Sequence, residues 1–346
     1  MKRKTISILA SLTISIILLF ILLKQIQFKD LIQTLKSIHI IGLFGYMSLA
    51  LSTAILRTWR YQILLKPYPS QFDRLFLVTL IRNLFVDLFP ARIGSLSYVY
   101  LVNKKLKYTF EAAASTFLLS FIYDFLTLSP FLIISIFIVG FGTTPLSSSI
   151  MLISSIVFLF VLIVIFWKIE LFLEALRKFF KFLLSLFHHN EKTWAKTGLE
   201  KFDLTQEEIS RIKKEKYHGL VILISFFIRG GKYMALYVLL FSLLSSHGFG
   251  LFDLSIWKTI LGITGAELTS VLPVKGLAGF GTWESAWALT FQLMKFDPQL
   301  SIISGLGIHL LSNLYEYSLG ILAIIILAII PAGKRIKKSN FPQNSY

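Results

Sequence analysis

The chain contains no cysteine. This one absence removes disulfides, thiolate zinc sites, iron–sulfur clusters and cysteine nucleophiles together. Acidic residues are scarce: 18 Asp and Glu stand against 35 Lys and Arg, and no clustered carboxylates offer a metal site. The G-x-x-x-x-G-K-[ST] phosphate loop is missing, because "RGGKY" (229–233) lacks the earlier glycine. There is also no G-x-S-x-G elbow and no H-E-x-x-H. The sequence therefore implies no cofactor, no metal and no catalytic residue, and the chain is not expected to be an enzyme. Basic residues are not interleaved with aromatics as a nucleic-acid surface requires, so no nucleic-acid partner is expected.

What the chain does have is apolar length. Hydrophobic residues make up 55% of its 346 positions, and the mean hydropathy is +0.73. A soluble domain is not this apolar. A spanning helix needs about 20 mostly apolar residues. Six segments qualify: 6–23, 41–65, 112–139, 149–167, 219–244 and 301–330. The first exceeds the roughly 7–15 residues of a signal-peptide core and lacks a cleavage pattern, so it reads as an anchor. The composition does not suit an outer-membrane barrel, whose strands alternate polar and apolar residues. The expected fold class is an all-α, polytopic helical membrane protein, forming a single membrane domain over 1–346.

Two further apolar segments are interrupted: 75–103 at Pro90, and 256–295 at Pro273. Neither half of either segment reaches across about 30 Å of hydrocarbon. Lys and Arg gather at 2–4, 60–74, 104–107, 168–216 and 334–338, which the positive-inside rule places in the cytoplasm. The connections 141–148 and 245–255 carry no Lys or Arg and suit the outside, whereas 24–40, with three lysines, fits less well. On this assignment both termini are cytoplasmic, and the interrupted segments are re-entrant hairpins of opposite orientation. Their tips, "LFPARIGSLSY" (88–98) and "LPVKGLAGFG" (272–281), share an apolar half-helix, Pro-x-Arg/Lys and glycine. Interrupted segments at corresponding positions point to a transporter substrate site.

The loop 168–218 is the sizeable polar part. In "IELFLEALRKFFKFLLSLF" the polar residues Glu170, Glu174, Arg177, Lys178, Lys181 and Ser185 share one face, as in an interfacial amphipathic helix. Thr205 and Glu208 form a capping-box pattern before a charged helix that ends near Lys216.

Charges inside apolar segments cost roughly 2.5–3.5 kcal/mol at the bilayer centre and are functional candidates. They are Arg82, Asp87, Arg92, Asp124, Arg229, Lys232, Glu267, Lys275, Glu284, His309 and Glu316. Arg92 lies between Pro90, which ends a half-helix, and Gly94, which frees the backbone to turn. A guanidinium beside exposed amides suits phosphate or carboxylate; the alternative is an ion pair with Asp87 or Asp124. Lys275 holds the matching place in the second tip, where Gly276, Gly279 and Gly281 let backbone amides approach a ligand. Thr282 is a candidate cap for the next half-helix, with Glu284 in its first turn; a structural and a functional role for Glu284 weigh equally. Asp124 and Glu316 have Arg92, Lys275 and Arg229 as candidate partners, with proton coupling the rarer alternative. A lone His309 on an apolar helix is more often a packing residue than a relay. The expected substrate-binding set is thus Pro90, Arg92, Gly94, Asp124, Lys275, Gly279, Gly281, Glu284 and Glu316.

At the two tips the chain resembles the transmembrane region of the lysylphosphatidylglycerol synthases and the related stand-alone flippase-like proteins. The resemblance rests on "RNLFVDLFPARIGSLSYVYLVNKK" (82–105), the later Asp124, and "LPVKGLAGFGTWESAWAL" (272–289). Pro90, Arg92 and Gly94 match the family's Pro-x-Arg-x-Gly-Glu-x-x-Arg pattern. Ser95 stands in place of its glutamate, and Tyr98 in place of its frequent second arginine. Gly279, Gly281 and Glu284 match Gly-x-Gly-x-x-Glu. The resemblance implies recognition and translocation of a lipid or lipid-linked intermediate, with anionic or polyprenyl-phosphate-linked lipids as partners. Two other readings compete: an intramembrane glycosyl or phospho-group transferase on a polyprenyl carrier, and a scaffold that holds a cytoplasmic or membrane enzyme through the 168–218 loop.

Overall fold

The computed structural model describes residues 13, 15–140, 145–187, 192–269 and 277–331. Among the described residues every regular element is helical. A short helix α1 (15–23) leads to α2 (Phe28–Lys36) and α3 (Ile40–Leu64). Next come α4 (Phe72–Leu88), a 3₁₀ segment (Pro90–Leu96), α5 (Ser97–Lys104), α6 (Phe110–Val139) and α7 (Pro145–Trp167). The polar loop holds α8 (Ile169–Leu186) and α9 (Thr193–Lys213), followed by α10 (His218–Leu244). The chain closes with α11 (Ile256–Leu268), a short 3₁₀ turn (Leu277–Gly279), α12 (Thr282–Leu293) and α13 (Pro298–Ile329).

Five of these helices are long and apolar enough to cross a membrane: α3, α6, α7, α10 and α13. The expected first span, 6–23, lies largely outside the described residues. The five helices show apolar side chains outward: Phe137 is 77% exposed and Phe160 65%. A surface of that kind is stable only against lipid or another apolar partner. This is a polytopic helical membrane protein.

Both interrupted segments are broken helix pairs. At 1.5 Å per residue, α4 is about 25 Å long and α5 about 12 Å, while α11 and α12 are each about 20 Å or less. The first break falls at Pro90 as expected. The second expected break, Pro273, lies outside the described residues. α5 packs back on α4 and α12 on α11, and the two tips touch one another through their 3₁₀ turns. The first pair is cored by Tyr61, Leu75, Val78, Ile81, Tyr98 and Val102 with α3, α6 and α13. The second is cored by Ile260, Ile263, Trp287 and Phe291 with α10 and α13. Glycine lets the helices approach closely. A Cβ on Gly42 would lie 2.2 Å from Ser242 Oγ across the α3–α10 contact, and one on Gly262 would lie 2.2 Å from the Phe291 ring. Small residues at such contacts are how helices pack where no water drives them together.

The 168–218 loop corrects one expectation. Thr205 and Glu208 do not start a helix; they lie mid-way along α9, which begins at Thr193. Thr205 Oγ1 donates to the Lys201 carbonyl at 2.7 Å, and Glu208 pairs with Arg211 at 2.6 Å. The chain upstream of Thr205 is already helical, so the free amides that a capping box serves are absent. Nor is α9 a detached polar arm. Ile209 and Ile212 are fully buried against Ile63, Leu64, Leu119 and Val221 of the bundle. Arg211 donates to the Lys66 carbonyl at 2.6 Å and Lys213 to that of Trp167 at 2.6 Å. α8 matches its expected pattern: Leu171, Phe172, Phe179 and Phe182 are exposed, while Glu174 bonds Lys178 at 2.8 Å and Arg177 forks onto Asp203.

Candidate functional site

The spanning bundle encloses charges tied to specific partners. Arg60, wholly buried, donates from Nη1 to Asp124 Oδ1 at 2.7 Å and to Ser225 Oγ at 2.9 Å. One guanidinium thus ties α3 to α6 and α10. Arg229 of α10 donates to the Asp124 backbone carbonyl at 3.0 Å and to Glu267 Oε2 at 3.3 Å. Two expectations change here. Asp124 pairs with Arg60, outside the expected partners Arg92 and Lys275, while Arg229 reaches only its carbonyl. Arg60 itself, counted among the cytoplasmic cations of 60–74, lies inside the bundle.

Glu267, near the end of α11, is a second hub. It receives Arg229, Lys232 and, at 3.9 Å, Arg92 from the first tip. Arg92 therefore pairs across to the second broken segment. Its backbone is unusual. Arg92 has φ +54°, a left-handed conformation that is sparse for non-glycine residues and collects at functional sites. Gly94 takes no positive φ; the turn is made at Arg92. What Gly94 supplies is proximity, because a Cβ there would lie 1.7 Å from the Phe85 carbonyl oxygen. The tip is thereby pressed against the end of α4.

The second tip uses its glycines for conformation. Gly279 and Gly281 have φ +84° and +85°. The Gly281 N–H donates to Glu284 Oε2 at 2.8 Å, so Gly281 precedes α12 and Glu284 caps it. Thr282, expected as the cap, is already in the helix and bonds the Gly279 carbonyl at 3.0 Å. Glu284 is fully buried, and its other oxygen takes His309 Nδ1 at 2.6 Å. The His309 ring stacks on Trp283 at 4.9 Å. Both Glu284 oxygens thus serve structure. Lys275 lies outside the described residues.

Between the tips and the spanning helices lies a cavity of about 140 Å³, room for several waters. Basic groups reach it from four elements: Arg57 of α3, Arg82 of α4, Arg92 of the first tip and Lys232 of α10. Asp87, Glu267 and Glu316 also line it, with His309, Ser312 and Asn313 of α13. Of the expected site residues, Arg92 and Glu316 meet at this cavity; Asp124 and Glu284 are not among its lining residues. Pro90 and Gly94 shape the tip that carries Arg92.

Among the described cations that line the cavity, Arg57 and Arg82 are the least compensated. Both donate to the same neutral oxygen, Asn83 Oδ1, at 3.1 and 3.3 Å. Neither has a carboxylate within 4 Å among the described residues, and the buried Nε of each lacks a hydrogen-bond partner. Two guanidiniums sharing one amide oxygen leave positive charge for an anion to neutralise. Arg57 was not among the sequence candidates. Its signal was its place inside 41–65, three residues from Arg60 and so on the same helix face.

The sequence profile of the lysylphosphatidylglycerol synthase TM region matches residues 8–320. The chain belongs to that family. A search of curated proteins found no match. Membership agrees with a membrane protein of lipid-related function.

Proposed function

We propose that this chain translocates an anionic lipid or lipid-linked intermediate across the bacterial inner membrane, with its head group in the cavity between the tips. The observation that carries the reading is the pair Arg57–Arg82, two half-buried guanidiniums that share a neutral partner beside Arg92 and Lys232. A phosphate oxygen satisfies such a site by bidentate, charge-assisted bonds. Acyl or prenyl chains stay in lipid while the head group exchanges sides. The topology that goes with this reading has both termini cytoplasmic and one hairpin entering from each face. Family membership supports lipids as the substrate class.

The test is mass spectrometry of lipids that co-purify with wild type and with an Arg57→Ala, Arg82→Ala double variant in mild detergent. The expected outcome is an anionic or pyrophosphate-linked lipid that is enriched in wild type and lost in the variant. Identical profiles would sink the proposal. Orientation is checked separately: with no native cysteine, a cysteine placed at Lys107 should label only from the cytoplasmic side.

A further inference from the structure

Glu267 stands where one carboxylate meets three cations, and the three are not held alike. Arg229 reaches Glu267 Oε2 at 3.3 Å, is anchored again on the Asp124 carbonyl at 3.0 Å, and is 11% exposed. Arg92 reaches the same oxygen only at 3.9 Å and is 28% exposed. Lys232, on the other oxygen, is 38% exposed. Arg92, Lys232 and Glu267 line the cavity, whereas Arg229 is not among its lining residues. Arg92 is also where the first tip makes its left-handed turn, and that tip touches the second. The contact that joins the first tip to α11 is therefore the longest of the three, and it opens on the cavity.

A carboxylate and a phosphodiester each carry one negative charge, and both accept from a guanidinium through two oxygens. Bare cations inside a helix bundle are costly, so a site built for an anion needs an occupant when no ligand is bound. Glu267 supplies one for Arg92 and Lys232, whereas Arg57 and Arg82 share the neutral Asn83. We infer that Glu267 is an internal stand-in for the head-group anion: the phosphate takes Arg92 and Lys232 from it, and the first tip then parts from the second. The inference rests on the anionic-lipid reading. It adds a second station beyond the Arg57–Arg82 pair, one that the chain itself fills. Arg92 trades one anion for another, so the lipid is neither refused on entry nor trapped, as passage through a bundle requires. Arg229, with its second anchor on α6, holds Glu267 in place to reclaim Arg92 when the lipid leaves.

Native mass spectrometry of the purified full chain in detergent compares phosphatidylmethanol, a bare phosphodiester, with diacylglycerol of the same acyl chains. Wild type should prefer phosphatidylmethanol. Glu267→Gln keeps the side-chain volume and removes the competing charge. It should bind phosphatidylmethanol about tenfold tighter, the worth of one charge-assisted hydrogen bond, with diacylglycerol binding unchanged. A merely structural Glu267 would give no such tightening. Tip motion is read by nitroxide labels at Leu96→Cys and Leu268→Cys, exposed positions on the first tip and at the end of α11 in a chain without native cysteine. With Glu267 present, the distance between the labels should lengthen when phosphatidylmethanol is added. With Glu267→Gln it should be long before any lipid is added. Arg92→Gln serves if that variant misfolds, because it leaves Glu267 with Arg229 and Lys232; its label distance should also be long without lipid. Unchanged or weaker phosphatidylmethanol binding by Glu267→Gln, or a label distance that the lipid leaves unchanged, would overturn the inference while leaving the anionic-lipid reading intact. Equal wild-type binding of the two lipids would overturn that reading itself.

Discussion

The Arg60–Asp124 pair can be separated from the lipid site by a double-mutant cycle. Arg60 is 0% exposed and Asp124 21%, with 2.7 Å between Nη1 and Oδ1. Removing one partner of a buried pair typically costs about 3–5 kcal/mol, because a charge is left without compensation. The partial exposure of Asp124 and the nearby Arg229 guanidinium move Arg60→Met to the low end, about 3 kcal/mol. Asp124→Leu should cost at least as much, since it strands a wholly buried guanidinium whose Nε and Nη2 already lack partners. Replacing both by apolar residues removes the stranded charge in either direction. The double variant should therefore lie within about 1 kcal/mol of wild type, a coupling of several kcal/mol. Unfolding in mixed micelles with increasing denaturing detergent measures all four corners. Because neither residue lines the cavity, the double variant should also keep its co-purifying lipid. Single variants as stable as wild type, or a double variant as unstable as the sum of the singles, would refute the reasoning.

Other outcomes follow from the same geometry. Gly94→Ala places a methyl 1.7 Å from a backbone oxygen and should cost about 3 kcal/mol or more; Gly140→Ala, at φ +61° with nothing within 4 Å, should cost only about 1–2 kcal/mol. Thermal unfolding in detergent compares them, and equal losses would count against the tight seating of the first tip. Glu284→Ala removes both the cap on Gly281 and the His309 partner, so it should destabilise by about 2–4 kcal/mol. Glu284→Gln retains an acceptor and should recover part of this loss, read in the same unfolding assay. Thr205→Ala should cost less than about 1 kcal/mol, because its hydroxyl bonds back within α9. Hydrogen exchange supplies the local check: the amides of Glu207 and Glu208 should stay as protected as their neighbours, whereas loss of an N-cap would expose them.

The site was legible only in part. Pro90 marked the first tip because an interior proline removes a helix hydrogen bond and clashes with the preceding turn, although α6 carries Pro130 without ending there, and Arg92 was found because a cation beside such a break is unusual in an apolar segment. Arg57 was overlooked because it stands in an apolar run just before the basic segment 60–74. Its side chain acquires meaning only when α4 brings Arg82 and Asn83 beside it. The capping box at Thr205 failed for a related reason. The motif specifies side chains at the right spacing, but whether the preceding residues are helical decides whether there are free amides to cap.

Local chemistry in the sequence determined what local chemistry can. Apolar length determined the membrane class, proline placed the first break, and the positive φ of Gly279 and Gly281 agrees with the freedom of that residue. The tertiary structure decided the partners. Arg60 meets Asp124 across 64 residues, Arg92 meets Glu267 across 175, and Glu284 meets His309 across 25. An apolar segment carries its hydropathy wherever it packs, so its class is written along the chain. A buried charge is tolerated only through the groups packed against it, and those arrive from elements that the segment itself does not specify.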